Sequence, residues 1–120
     1  MPDRPERRVV VFLSHGDEAA LRLAGSCALA AAALGDRVDV FLFGEAVRAV
    51  IEAHGAAATD EAGGLLHAAR TAGTCRLVAC SASVVEARIP LEAAERALDA
   101  VVGWPTIVEW SRGVVDRFSF

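Results

Sequence analysis

Three stretches of this 120-residue chain are apolar almost without interruption: Arg8-Val-Val-Val-Phe-Leu-Ser14, Arg37-Val-Asp-Val-Phe-Leu-Phe43 and Cys75-Arg-Leu-Val-Ala-Cys80. A strand with one face in water alternates apolar and polar residues. Runs of β-branched and aromatic side chains on both parities belong to strands covered on both faces. Segments with helical spacing separate the runs. This alternation predicts an α/β fold, a three-layer α/β/α sandwich with a mostly parallel five-stranded sheet, because parallel neighbours need crossover helices of one hand.

The punctuation between the runs supports that reading. Gly16 ends the first run, Asp17 stands at a helix N-cap and Gly35 where a left-handed C-terminal residue is wanted, so a helix is expected from Glu18 to Leu34. Gly44 closes the second run, and Glu45 to Ala53 reads as a short helix with Val47, Val50 and Ile51 on one side. A further helix is expected from Thr59 or Asp60, through Leu65, Leu66 and Ala69, to Gly73. After the third run, Ser83 and Glu86 have capping-box spacing for a helix that Pro90 interrupts, and Leu91 to Leu98 forms another helical turn. Ala100 to Val102 reads as a short fourth strand, Pro105 suits the first turn of a small helix ending at Gly113, and Val114 to Phe120 is the fifth strand.

Composition narrows the class. With 54% hydrophobic and 23% charged residues the chain is not disordered, and a domain of this size buries roughly two thirds of its unfolded surface without help from disulfides or metal. Sixteen acids against twelve bases give a net charge of −4. Every base is an arginine and the arginines are scattered, so neither nucleic acid nor an anionic membrane is expected as a partner. Val9 to Leu13 is too short for a signal core, and the alanine-rich segment from Ala19 to Leu34, broken by Arg22, Gly25 and Ser26, is a poor span for ~30 Å of hydrocarbon. Three cysteines, an odd number, argue for a reducing compartment, read here as cytoplasmic. Met1 to Arg7 is expected to be a flexible tail ahead of one domain over residues 8–120.

In an open α/β sheet, ligands bind outside the carboxyl ends of the strands, where helix starts present unpaired N–H groups. The residues that follow each run are therefore the candidates: Ser14 and His15; Gly44 and Glu45; Cys80, Ser81 and, in the helix start, Ser83; then Gly103, Trp104, Pro105 and Thr106. Cys80 is the expected nucleophile, since the positive end of the helix behind it favours the reactive thiolate; the alternative is a small buried hydrophobe. Cys27 falls in the stripe Ala24, Cys27, Ala28, Ala31 and Leu34 and reads as core. Cys75 and Cys80 lie about 16 Å apart along a strand and on opposite faces, too far for a bridge whose Cα atoms must be within ~7 Å. His15 would orient a substrate, or stabilise a Cys80 thiolate if the first and third strands are neighbours. His54 and His67 read as structural. No zinc-site spacing and no phosphate-cradling glycine string is present, so neither metal nor cofactor is expected. Trp104 either walls the pocket or packs in a subunit contact.

The stretch Ser14-His-Gly-Asp-Glu with its alanine-rich helix, Ala33-Leu-Gly-Asp-Arg-Val38 and Phe41-Leu-Phe-Gly44 resemble the opening half of the DsrE/DsrF-like proteins, a sulfur-relay family that includes the TusD-type subunits. Val78-Ala-Cys-Ser-Ala-Ser83 and Val101-Val-Gly103 resemble its second half, so the likeness runs from Arg8 to Phe120. The resemblance implies a sulfurtransferase-like subunit that carries a persulfide on Cys80 and passes sulfane sulfur from a donor protein to an acceptor thiol. It also implies a homo-oligomer, a trimer or hexamer. Ser14, His15, Gly44, Ser81, Ser83 and Trp104 would then be the binding residues around the sulfur. Two other readings stand beside it: a non-catalytic subunit that binds a small ligand, and one that completes an assembly. A domain this rich in Ala, Val and Leu has more apolar surface than one small core absorbs.

Overall fold

The three apolar runs form β1 (Arg8–Leu13), β2 (Arg37–Leu42) and β3 (Cys75–Cys80). Two shorter strands, β4 (Ala100–Val102) and β5 (Asp116–Ser119), complete a sheet of order β4-β3-β2-β1-β5 in which every pairing is parallel. The computed structural model describes residues 7–54 and 62–120. The connections hold α1 (Glu18–Ala33), α2 (Glu45–Glu52), α3 (Gly64–Thr71), α4 (Ser81–Glu86), α5 (Leu91–Ala97) and α6 (Trp104–Trp110). The expected α/β/α sandwich is therefore present, and its sheet is parallel throughout. The helix start expected at Thr59 or Asp60, and the tail as far as Glu6, lie outside the described residues. β5 is shorter than the Val114 to Phe120 expected, since the strand is confined to the four residues that pair with Val9 to Phe12. Among the described residues no helix is long and apolar enough to cross a membrane.

Local chemistry explains the element ends. The Asp17 carboxylate accepts the Ala20 N–H at 3.2 Å, satisfying one of the orphan donors of α1. At the other end Gly35 takes φ +86°, beyond the Leu34 cap. The buried side of α1 is nearly all small (Ala20, Leu21, Ala24, Gly25, Ala28, Ala31), which brings the helix close to its neighbours. A Cβ on Gly25 would lie 2.5 Å from Leu65 Cβ, so this glycine is what permits the α1–α3 approach. Cys27 sits at the margin of that stripe, half-buried and packed against the core.

The layers are unequal. Val9, Val11, Leu13, Val38, Val40, Leu42, Leu77 and Ala79 face a core shared with α1, α2, α3, α4 and α5. The opposite parity, Val10, Phe41, Val78 and Cys80, forms a smaller cluster with Ile107 of α6. Strand order explains the division. From β1 to β4 each crossover steps the same way across the sheet, so crossovers of one hand all place their helices on one face. The return from β4 to β5 runs the other way, and the same hand puts α6 on the other face.

A charged network pins the far end of α6. Asp39, buried in mid-strand, accepts from Arg76 Nε at 2.8 Å and Arg76 Nη2 at 3.2 Å, and Arg8 stands 3.5 Å from the same carboxylate. Arg76 lies 4.1 Å over the Trp110 ring, and Arg8 donates to the Trp110 and Arg112 carbonyls at the helix's end. Those carbonyls lack helical donors, so the arginine acts as a C-cap. Asp39→Ala removes the anion that both arginines share. The expected loss is about 1–3 kcal/mol in urea unfolding, with a shift in Trp110 fluorescence as Arg76 loosens.

A histidine ties α3 to α2. His67 Nε2–H donates to the Val50 carbonyl at 2.8 Å, and burial, the largest influence, holds its pKa below the ordinary 6.5. The neutral ring is thus favoured in the folded chain, while the unfolded chain takes up the proton more readily. Stability from this group is full above pH 6.5 and is lost as pH falls through the window below it. The urea midpoint is expected to drop between about pH 7.5 and 5, and to drop less in His67→Gln.

Candidate functional site

The switch in helix side falls between β3 and β4. β3 runs into α4, whose Val84 belongs to the five-helix core, and β4 runs into α6, whose Ile107 belongs to the other cluster. Two adjacent parallel strands whose chains leave on opposite sides open a crevice at their carboxyl ends, the usual ligand position in an open α/β sheet. Cys80 is the last residue of β3 and stands at this switch point in register with Val102, the last of β4. Ser81 begins α4 on one side, and Gly103 and Trp104 begin the α6 turn on the other. The two turns nearly meet: a Cβ on Gly103 would be 3.8 Å from Ser81 Oγ.

Cys80 occupies the N-cap position of α4, with extended φ −70° and ψ 124° and no side-chain cap bond. It is 2% exposed and packs with Val10, Phe41, Val78 and Ile107. Phe43 and Val102 close over this cluster. Trp104, 53% exposed, stacks on Phe43 with ring centroids 5.0 Å apart and planes at 19°, and Phe43 stacks in turn on Phe12 at 6.1 Å. In a single chain, then, Trp104 is the outermost layer of an aromatic cover over the sheet end that holds the cysteine. Phe12 and Phe43 were not among the residues marked by sequence, although Phe41 and Phe43 share a strand face with the cysteine's neighbours.

Gly44 and Ser83 answer each other. The Gly44 N–H donates to Ser83 Oγ at 2.9 Å, and Arg48 donates to the Ala87 carbonyl, so the β2–α2 turn and α2 are tied to α4 at two places. This corrects the expected capping box: α4 starts at Ser81, two residues before Ser83, whose buried hydroxyl is engaged by a tertiary neighbour rather than by its own helix. Gly44 has φ +52° and ψ −132°, a conformation open to glycine and strained for any other residue. Ser14 and His15 sit elsewhere. β2 lies between β1 and β3, so the strand adjacency on which a His15–Cys80 contact depended is absent. Both residues are exposed; Ser14 Oγ is 3.4 Å from His15 Nδ1 and donates to the Phe120 carbonyl at 3.3 Å, toward β5.

The other thiols differ in surroundings. Cys75, at the opposite end and face of β3, has its pKa pushed up to about 12, first by burial and then by the Asp99 and Asp39 carboxylates. Burial also raises that of Cys27. All three cysteines are free. His54 and His67, expected to be structural, have ring centroids 5.4 Å apart. Among the described residues no group of three or more His, Cys, Asp or Glu side chains is placed to hold a metal ion.

Comparison with known proteins adds to this geometry. The model of the DsrE/DsrF-like family matches residues 7–112. The structure of the ychN protein from E. coli superposes with a TM-score of 0.67 at 17% identity, covering 95% of this chain and 99% of that one. The structure of MTH1491 from Methanobacterium thermoautotrophicum, described as a protein of unknown function, gives 0.66 at 19% identity, with 93% and 99% covered. At such identities the two likenesses speak for the fold. No curated protein matches the sequence.

Removing the Ser83 hydroxyl leaves the Gly44 N–H without its partner beside the crevice. Ser83→Ala is expected to lower stability by about 1–2 kcal/mol in chemical denaturation, and hydrogen exchange at the Gly44 amide is expected to quicken more than at β2 core amides.

Proposed function

The chain belongs to the DsrE/DsrF-like family, and from that premise we propose that it is a sulfur-relay subunit in which Cys80 carries a persulfide and hands its outer sulfur to an acceptor thiol. The observation that carries this reading is the position of Cys80 at the carboxyl end of β3, where the helices change sides. The Cys80 thiolate attacks the outer sulfur of a donor persulfide. One S–S bond forms as the donor's breaks, the donor leaves as a thiolate, and no net oxidation occurs. An acceptor thiolate then attacks that outer sulfur and Cys80 departs as the thiolate. The first-turn N–H groups of α4 lie next in the chain and favour an anion there. Ser81 lines the crevice, Trp104 covers it, and Gly44 and Ser83 brace its rim. Ser14 and His15, at the same end of the sheet over β1, flank a partner's approach. With Cys80 almost wholly buried, the donor reaches the sulfur when the Trp104–Phe43 cover moves aside.

That same burial favours a second reading, a non-catalytic subunit in which Cys80 is part of the wall of a ligand-binding or assembly domain. Treatment with a persulfide donor followed by intact-mass spectrometry separates the two. The relay reading expects one added sulfur in the wild type, retained in Cys27→Ser and Cys75→Ser and absent in Cys80→Ser. Sulfur still present in Cys80→Ser, or absent from the wild type, overturns it.

Self-association is part of the proposal. Leu34, Val85 and Leu91 are each more than half exposed, and burying such side chains is worth about 1.5–3 kcal/mol apiece. Light scattering is expected to give about three or six times the chain mass, and Val85→Asp to lower it.

A further inference from the structure

Among the described residues the crossover rule sends five helices to one face and α6 to the other, and beside α6 lies a trough of about 330 Å³. Phe12 is its floor; Ile107, Val108 and Ser111 of the α6 segment are its wall. α6 runs against the strands, since its first residue, Trp104, stacks at the carboxyl end of β2 while Trp110 stacks under Arg76 near the start of β3. Trp104 therefore closes one end of the trough, and Arg112 and Arg117 stand at the other. Val108 is 50% exposed, so the strip between these ends is apolar and open to water.

The charge at the far end has one sign. Both ionisable side chains lining the trough are arginines. Arg112 is paired with Glu109 at 3.2 Å. Arg117 donates to the Ser111 carbonyl at 3.2 Å, and among the described residues no carboxylate pairs with it. That bond holds its guanidinium beside α6 with further N–H donors to spare. The volume lies at the lower end of the range for small-molecule sites, which combine apolar walls with a few placed polar groups.

We propose that this trough is a binding site for a small amphipathic carboxylate, with its anionic head on Arg117, its apolar body against Phe12, Ile107 and Val108, and its tail under Trp104. Charge complementarity commits the site to an anion, and the apolar length of α6 commits it to a hydrocarbon or aromatic body. The site goes beyond the sulfur-relay reading: it shares Trp104 and Ile107 with the surroundings of Cys80, but the thiol itself does not line it.

Octanoate and its uncharged counterpart octan-1-ol are the probes, titrated into the full chain at low salt with tryptophan fluorescence and light scattering recorded together. Octanoate is expected to saturate with a change in Trp104 emission that Trp104→Phe abolishes, and to bind at least about five-fold more tightly than octanol. Arg117→Gln is expected to reduce octanoate to the affinity of octanol, and Val108→Asp to abolish both. Equal affinity for the two probes, or an unchanged octanoate affinity in Arg117→Gln, overturns the proposal. Absence of binding overturns it too; if the protein is then an oligomer that Val108→Asp dissociates, the trough is an interface between copies.

Discussion

The handedness of the strand crossovers is the constraint from which the rest of this structure follows. A right-twisted strand feeding a right-handed helix returns to the sheet in one sense only. Four strands laid down in one direction must therefore carry their helices on one face, and a fifth placed back beside the first must be reached over the other. Three consequences share this origin: a thick layer that holds five of the helices among the described residues, a face on which those residues place α6, and a switch point between β3 and β4 where the two sides part.

The unequal faces give the cysteines of β3 different surroundings, although they lie on one six-residue strand. Cys75 points into the thick layer, at the end of the sheet where no helix begins, and its thiol is held protonated by burial and by the neighbouring carboxylates. Cys80 points to the thin side at the carboxyl end, packed with Val10, Phe41, Val78 and Ile107. An odd separation along the strand is enough to exchange one environment for the other.

The thin layer is held from both ends by different forces. At the end near the strand starts, Asp39 gathers Arg8 and Arg76, and these cap and stack against the last turn of α6. At the crevice end the hold is aromatic, Trp104 on Phe43 on Phe12. Charge-assisted hydrogen bonds are directional, whereas stacked rings slide and separate at modest cost. The end of α6 at the carboxyl ends of the strands is thus the end with the softer attachment.

Much of this architecture was legible in the amino-acid order, because short-range physics writes it there. Two-sided apolar runs marked β1, β2 and β3, Asp17 and Gly35 bounded α1, and the parity of Cys75 and Cys80 placed them on opposite faces. The ends of the strands were marked as well, and with them Cys80, Ser81 and Trp104. Contacts between distant segments were not: Ser83 had the spacing of a capping box until the Gly44 N–H claimed its hydroxyl, and His15 was a neighbour of Cys80 only in one of the possible strand orders. Asp39 and Arg76, opposite charges within two largely apolar strands, became a pair only through the parallel register that sets them side by side. Element type and strand face arise within a few residues, from backbone sterics and side-chain periodicity. Strand order, the crevice and the uncovered face arise where segments far apart in the chain meet, and there no local pattern selects among the arrangements that bury the same apolar surface.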